Sequence, residues 1–210
     1  MRAPTTLSGL IQQLSEVGRM AVDSGLVLAS GGNLSARLPG ADVFAVTGSA
    51  TWLDRLTPDD FGVVDLAGNH LSGATPSSEW KLHQRTYQVR PDVNSVIHLH
   101  PQHAVLLDAL GHEIRLITLD HAYYVKSVGQ VGYYPNGSDE LADLSAEQCL
   151  VHNCVVLSHH GCSAVGEDVS MAYRRAVNLE EAAIATYRAL CLGDRTTTFP
   201  PASFADLHHA

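Results

Sequence analysis

Apolar residues recur with a helical period at the start of the chain. Leu7, Leu10, Ile11, Leu14, Val17 and Ala21 fall on one stripe, predicting an amphipathic helix that ends near Gly25. Two short apolar runs follow, residues 26–29 and 34–38, interrupted by a Gly31-Gly32-Asn33 turn. Residues 43–46 and 61–66 read as strands, with a Gly68-Asn69 turn after the second. Ser77 and Ser78 ahead of Glu79-Trp80-Lys81-Leu82 predict an N-cap and the first turn of a helix that Pro91 closes. Residues 93–100 read as a strand, 101–110 as a short helix with Gly111 at its C′ position, and 114–119 as a further strand. The aromatic, glycine-containing stretch 120–137 predicts no regular element. Residues 138–150 read as a helix, 154–158 as a buried strand and 169–192 as a long helix, while 196–210 reads as an irregular tail. Strands alternating with helices, without repeat or linker, predict one α/β domain spanning residues 1–210.

Composition narrows the functions. With 45% hydrophobic and 17% charged residues the chain suits a globular core. No apolar stretch approaches the ~18 residues of a spanning helix, and the N-terminus carries no uninterrupted apolar region of a secretory leader, so no membrane role is expected. Thirteen Lys and Arg against 22 Asp and Glu give a formal charge of −9, which argues against nucleic acid as a partner. A small phosphate is still within reach of backbone N–H groups at a helix N-terminus. Cys149, Cys154, Cys162 and Cys191 form no C-x-x-C pair and read as buried or incidental thiols in a reducing cytoplasm.

The twelve histidines are the unusual feature, six of them in the clusters His98/His100/His103 and His152/His159/His160. On a strand, His98 and His100 share a face and Leu99 takes the other. Two imidazoles so spaced can approach one metal ion, or form a hydrogen-bonded polar pair at a strand end. Ser158-His159-His160-Gly161 also ends an apolar run, and Gly161 lets the backbone turn and project one histidine into a cleft. Periodicity does not decide between His159 and His160. A third imidazole would complete a metal site with an open coordination position. Glu79 compensates a helix dipole or serves as a base. Gly31-Gly32-Asn33 and Thr47-Gly48-Ser49 are small turns of the sort that cradle a phosphate.

Taken in order, these pieces resemble the class II aldolase/adducin superfamily, closest to its fuculose-phosphate aldolase branch. The matching segments are Gly32-Asn33-Leu34-Ser35, Thr47-Gly48, Leu56-Thr57-Pro58-Asp59-Asp60, Val63-Val64-Asp65, Pro76-Ser77-Ser78-Glu79, Arg90-Pro91-Asp92, His98-Leu99-His100 and His160-Gly161. The resemblance implies a three-layer α/β/α fold around a largely antiparallel sheet, and a homotetramer with active sites at subunit interfaces. It also implies a divalent metal on His98, His100 and His160, usually Zn2+, with Mn2+ or Co2+ as the other candidates. Glu79 matches the acid/base, and Gly32, Asn33, Thr47, Gly48, Ser77 and Ser78 match the substrate-phosphate pocket. The second acid, a tyrosine often supplied across an interface, falls in Asp120-His121-Ala122-Tyr123-Tyr124, with Tyr123 and Tyr124 as candidates. Phe199 or Phe204 of the tail could cover the site. His103, His112, His152, His208 and His209 match no role.

The implied activity is reversible cleavage of a phosphorylated ketose, such as fuculose-, rhamnulose- or 5-deoxyribulose-1-phosphate, to dihydroxyacetone phosphate and an aldehyde. Decarboxylation of a 3-oxo sugar-acid phosphate is the nearest alternative, since Tyr123-Tyr124-Val125-Lys126-Ser127-Val128-Gly129 looks similar to those enzymes. The epimerases of the superfamily place Asp where this chain has Glu79. A non-enzymatic adducin-like module is the alternative of another kind, although such modules lack the three histidines.

Overall fold

The computed structural model describes residues 4–200. Phe204, His208 and His209 lie outside the described residues. Eight strands form one sheet, in chain order β1 (Asn33–Ala36), β2 (Val43–Thr47), β3 (Phe61–Asp65), β4 (His70–Gly73), β5 (Ser95–Leu99), β6 (Val128–Val131), β7 (Cys154–Leu157) and β8 (Gly161–Gly166). The spatial order is β4-β3-β2-β1-β5-β8-β7-β6, antiparallel at every junction except β6 with β7. Five helices cover it: α1 (Leu7–Asp23), α2 (Trp80–Val89), α3 (Gln102–Ala109), α4 (Asp139–Cys149) and α5 (Val169–Cys191).

Alternation along the strands sorts the core into two layers. Leu34, Ala36, Ile97, Leu99, Cys162 and Ala164 pack against Leu10, Leu14 and Val17 of α1 and Ala172, Ala176 and Leu179 of α5. On the other face Phe44, Val46, Val96, Val155 and Val165 meet Leu82 and Tyr87 of α2 and Leu141 and Cys149 of α4. The result is the three-layer α/β/α arrangement with a mostly antiparallel sheet.

Helix starts follow local chemistry. The side chains of Thr6, Ser138 and Asp168 accept from Gly9 N–H, Leu141 N–H and Met171 N–H and so cap α1, α4 and α5. Helix α2 departs from expectation. Its N-cap position is Glu79, whose side chain makes no capping bond, and Ser77 and Ser78 lie two residues and one residue ahead of it.

Residues 114–119 form no strand. Their polar backbone is taken up elsewhere: Arg115 N–H donates to Thr186 Oγ1 of α5, and the amides of Ile117 and Thr118 reach His121 Nδ1. Ile114 and Leu116 still pack on the core, so the apolar pattern reported burial and not pairing. A π-helical turn at His121–Val125 and the edge strand β6 occupy the stretch that predicted nothing regular. Cys149, Cys154 and Cys162 are buried free thiols, and Cys191 is exposed. Among the described residues no helix is long and apolar enough to cross a membrane.

Candidate metal centre and active site

The antiparallel junction of β5 with β8 brings the two histidine segments together, with His98 opposite Ser163 and Leu99 opposite Cys162. His100 follows the end of β5, and His160 precedes the start of β8. Glycine is required at Gly161, where a Cβ would fall 2.7 Å from His100 Cδ2 and 3.1 Å from His98 Cε1. At Gly32 the left-handed φ of 72° and a Cβ position 2.6 Å from the His98 carbonyl oxygen impose the same need. The rings of His98, His100 and His160 lie with centroids 4.8–5.1 Å apart. His159 is exposed, with a left-handed φ of 58°, so the turn sends His160 inward and His159 out.

Glu79 meets the cluster from the start of α2. Its Oε2 lies 3.3 Å from His98 Nε2 and its Oε1 3.3 Å from His160 Nε2. Asn33 Nδ2 donates to Oε2 at 2.9 Å. The ligand atoms of Glu79, His98, His100 and His160 lie within 4.8 Å of one another, and no other such group occurs among the described residues.

The chemistry of this set fits a divalent cation. His98 Nδ1 is 2.9 Å from the Cys162 carbonyl, which only accepts, so Nδ1 carries a proton and Nε2 is the ring nitrogen turned toward the cluster. Glu79 Oε1 is buried without a hydrogen-bond donor, a cost of roughly 1–3 kcal/mol or more for a polar atom and one a cation would offset. Three imidazole nitrogens and a carboxylate suit zinc and several neighbouring divalent ions. Burial raises the Glu79 carboxyl, but the His98 imidazole, then His160 and the Asn33 amide, outweigh it and hold Glu79 well below the usual carboxylate range. Burial, with the charge of His98 next, pushes His100 down to about 3 and lowers His160 as well. These effects favour neutral imidazoles at His100 and His160 beside an ionised Glu79, the protonation state a metal needs.

A cavity of about 170 Å3 opens over this cluster. Gly32, Asn33, Gly48, Ser77 and Ser78 line it beside Glu79, His100 and His160. Thr47 stands behind the wall, fully buried, with Oγ1 accepting the Leu34 N–H at 3.1 Å. The Thr47-Gly48-Ser49 turn offers less backbone than its sequence suggests, because the Gly48 and Ser49 amides bond the Asp60 and Thr75 carbonyls. The Gly32, Ala50 and Ser78 amides find no protein acceptor among the described residues, and all three residues line the cavity. Among the described residues no Lys or Arg lines it, so an anion there meets N–H groups, hydroxyls and the uncapped start of α2.

Tyr123 and Tyr124 are not in this lining. They sit on the π-helical turn, where Arg174 Nη1 of α5 approaches the Tyr124 hydroxyl at 3.3 Å. Phe199 is also away from the cavity, its N–H bonded to the Leu116 carbonyl. A larger cavity of about 570 Å3 lies beside β6 and α3, between Asp108, His112, Glu113 and Gln130, and among the described residues no metal-ligand group converges there.

Sequence reasoning missed the residues behind the site. His83, Ser35 and Tyr87 form a fully buried polar chain leading to Asn33. Glu79, His83 and Tyr87 are spaced i, i+4, i+8 along α2, so a polar stripe on a buried helix face was the available signal. Asn136, from the loop ahead of α4, was missed as a cavity residue.

Residues 12–187 match the family described as class II aldolase and adducin N-terminal domain. The chain is 32% identical over 177 residues to an L-fuculose phosphate aldolase of Methanococcus maripaludis, covering 84% of this chain and 96% of that one. It is 31% identical over 173 residues to a 3-oxo-tetronate 4-phosphate decarboxylase of Haemophilus influenzae, covering 80% and 82%. Among solved structures, an L-fuculose 1-phosphate aldolase superposes with a TM-score of 0.88 at 28% identity, covering 95% of this chain and 94% of that one.

Proposed function

The chain belongs to the family of class II aldolases and adducin N-terminal domains, and on that premise we propose that it is a metal-dependent aldolase of phosphorylated deoxyketoses. The reaction is reversible cleavage of a substrate such as fuculose-, rhamnulose- or 5-deoxyribulose-1-phosphate to dihydroxyacetone phosphate and an aldehyde. The observation that carries the reading is the convergence of Glu79, His98, His100 and His160 beneath a cavity walled by amides and hydroxyls.

His98, His100 and His160 hold the ion, Zn2+ in the first instance and Mn2+ or Co2+ as alternatives. When bound, the ion supplies Lewis-acid polarisation of the substrate carbonyl and stabilises charge left on oxygen as the carbon–carbon bond breaks. Glu79 moves the proton at the carbon next to that carbonyl, returning it in cleavage and removing it in condensation. The Gly32, Ala50 and Ser78 amides, the Asn33 side chain and the Ser77 and Ser78 hydroxyls bind the phosphate, and this remote contact orients the reacting carbons. Tyr123 or Tyr124 acts on the aldehyde oxygen from a neighbouring copy of the chain, in a homotetramer. The protein works in the cytoplasm.

A panel of phosphorylated deoxyketoses, assayed for dihydroxyacetone phosphate release, tests this. Turnover of at least one that is lost on chelation is the expected result. The similarity to the H. influenzae decarboxylase supports one second reading, decarboxylation of a 3-oxo sugar-acid phosphate. Carbon dioxide release from such acids, with no ketose cleaved, would favour it.

A further inference from the structure

We propose that His83 is a positioning residue that fixes which end of the Asn33 side-chain amide faces the cavity, making Asn33 an obligate hydrogen-bond donor to the substrate phosphate. The inference rests on reading the cavity as a phosphate site.

A carboxylate accepts and does not donate, so the atom of Asn33 lying 2.9 Å from Glu79 Oε2 is the amide nitrogen. Asn33 Oδ1 therefore faces the other way, 2.5 Å from His83 Nε2, and that nitrogen must carry a proton. His83 is fully buried, and burial pushes it down to about 3, so it is neutral and its Nδ1 is an acceptor. Ser35 Oγ, 2.7 Å from Nδ1, donates to it. Its lone pair then receives the Tyr87 hydroxyl, 2.7 Å further on. Every proton in the chain Tyr87–Ser35–His83–Asn33–Glu79 is thus assigned, in one direction.

Without His83, the two ends of the Asn33 amide are nearly isosteric and only the Glu79 carboxylate is left to distinguish them. Reversal would aim the carbonyl at the carboxylate and the cavity, where it repels both Glu79 and an incoming anion. With His83 in place, one Asn33 N–H serves Glu79. The other finds no protein acceptor among the described residues, and Asn33 lines the cavity. In a pocket that no described Lys or Arg lines, the polarity of one amide matters more than it would beside a cation.

The test uses the full-length, metal-loaded protein and inorganic phosphate as probe. Imidazole 15N shifts of the wild-type protein should report His83 as the neutral Nε2–H tautomer between pH 5 and pH 8; an Nδ1–H tautomer overturns the proposal without any variant. By calorimetry, H83L should weaken phosphate binding about tenfold or more with metal stoichiometry unchanged. H83Q, whose amide N–H can stand in for Nε2–H, should bind phosphate within about threefold of wild type. The substrate KM should follow the same order. Wild-type affinity for phosphate in a folded H83L protein, or H83Q as weak as H83L, contradicts the assignment. A wild-type protein that binds no phosphate overturns the phosphate-site reading instead, and the tautomer then decides the orientation of Asn33 alone.

Discussion

Strands β1 and β5 lie side by side in the middle of the sheet, and their two faces are built on opposite principles. Leu34, Ala36, Ile97 and Leu99 point toward α1 and α5 into a layer that is wholly apolar. Asn33, Ser35 and His98 alternate with them and point toward α2, where they meet Glu79, His83 and Tyr87. Both faces are buried to the same degree, yet one gains from leaving water and the other must offset each desolvated polar atom with a specific bond. The contrast assigns stability to the first face and function to the second. A rigid apolar backing keeps the strands in register, and the register helps hold the side-chain atoms of Glu79, His98, His100 and His160 within 4.8 Å of one another.

Substitutions on each face should separate the two roles. The largest effect is expected from Glu79→Gln, which preserves shape and removes the base. Turnover should fall on the order of 10²–10⁴-fold with metal content and melting temperature nearly unchanged, measured by steady-state kinetics beside elemental analysis. Leu99→Ala, one residue from a proposed ligand but on the opposite face, should cost about 2–5 kcal/mol by urea unfolding and leave metal stoichiometry intact. If that variant instead lost metal at full stability, the division between faces would be wrong.

A smaller effect is expected from pH on the metal-free protein. His83 sits at about 3 when folded against an ordinary 6.5, so the unfolded chain binds one more proton between those values. Its contribution is complete above pH 6.5 and is lost as pH falls toward 3, at about 1.4 kcal/mol per pH unit. Unfolding free energies from urea at pH 7, 6 and 5 should fall with pH by the combined share of His83, His100 and His160, and His83→Gln should remove one proton's share of it.

The sequence disclosed the apolar face better than the polar one. The helical stripe of α1, the length of α5 and the strand through His98 were all legible, because burial on one side prints a period. The strands β4 and β8 were not. All four residues of β4 are exposed, and all six of β8 are buried with small residues on both sides, so neither alternates. Residues 114–119 misled in the opposite sense, since their apolar residues pack while their amides bond side chains. At the site, His98 and His100 announced themselves by spacing and Glu79 by its neighbours. The junction of β5 with β8 that delivers His160 depends on strand order, for which no local signal exists. His83 passed unnoticed because one buried histidine on a helix face reads like any packing residue.

The central claim is that His98, His100 and His160 share one divalent ion beside Glu79. Elemental analysis of purified protein, wild type against His98→Ala, tests it most directly. About one zinc-like ion per chain is expected in the first and essentially none in a folded second. Stoichiometric metal in both, or in neither after loading with zinc, manganese and cobalt in turn, would contradict it.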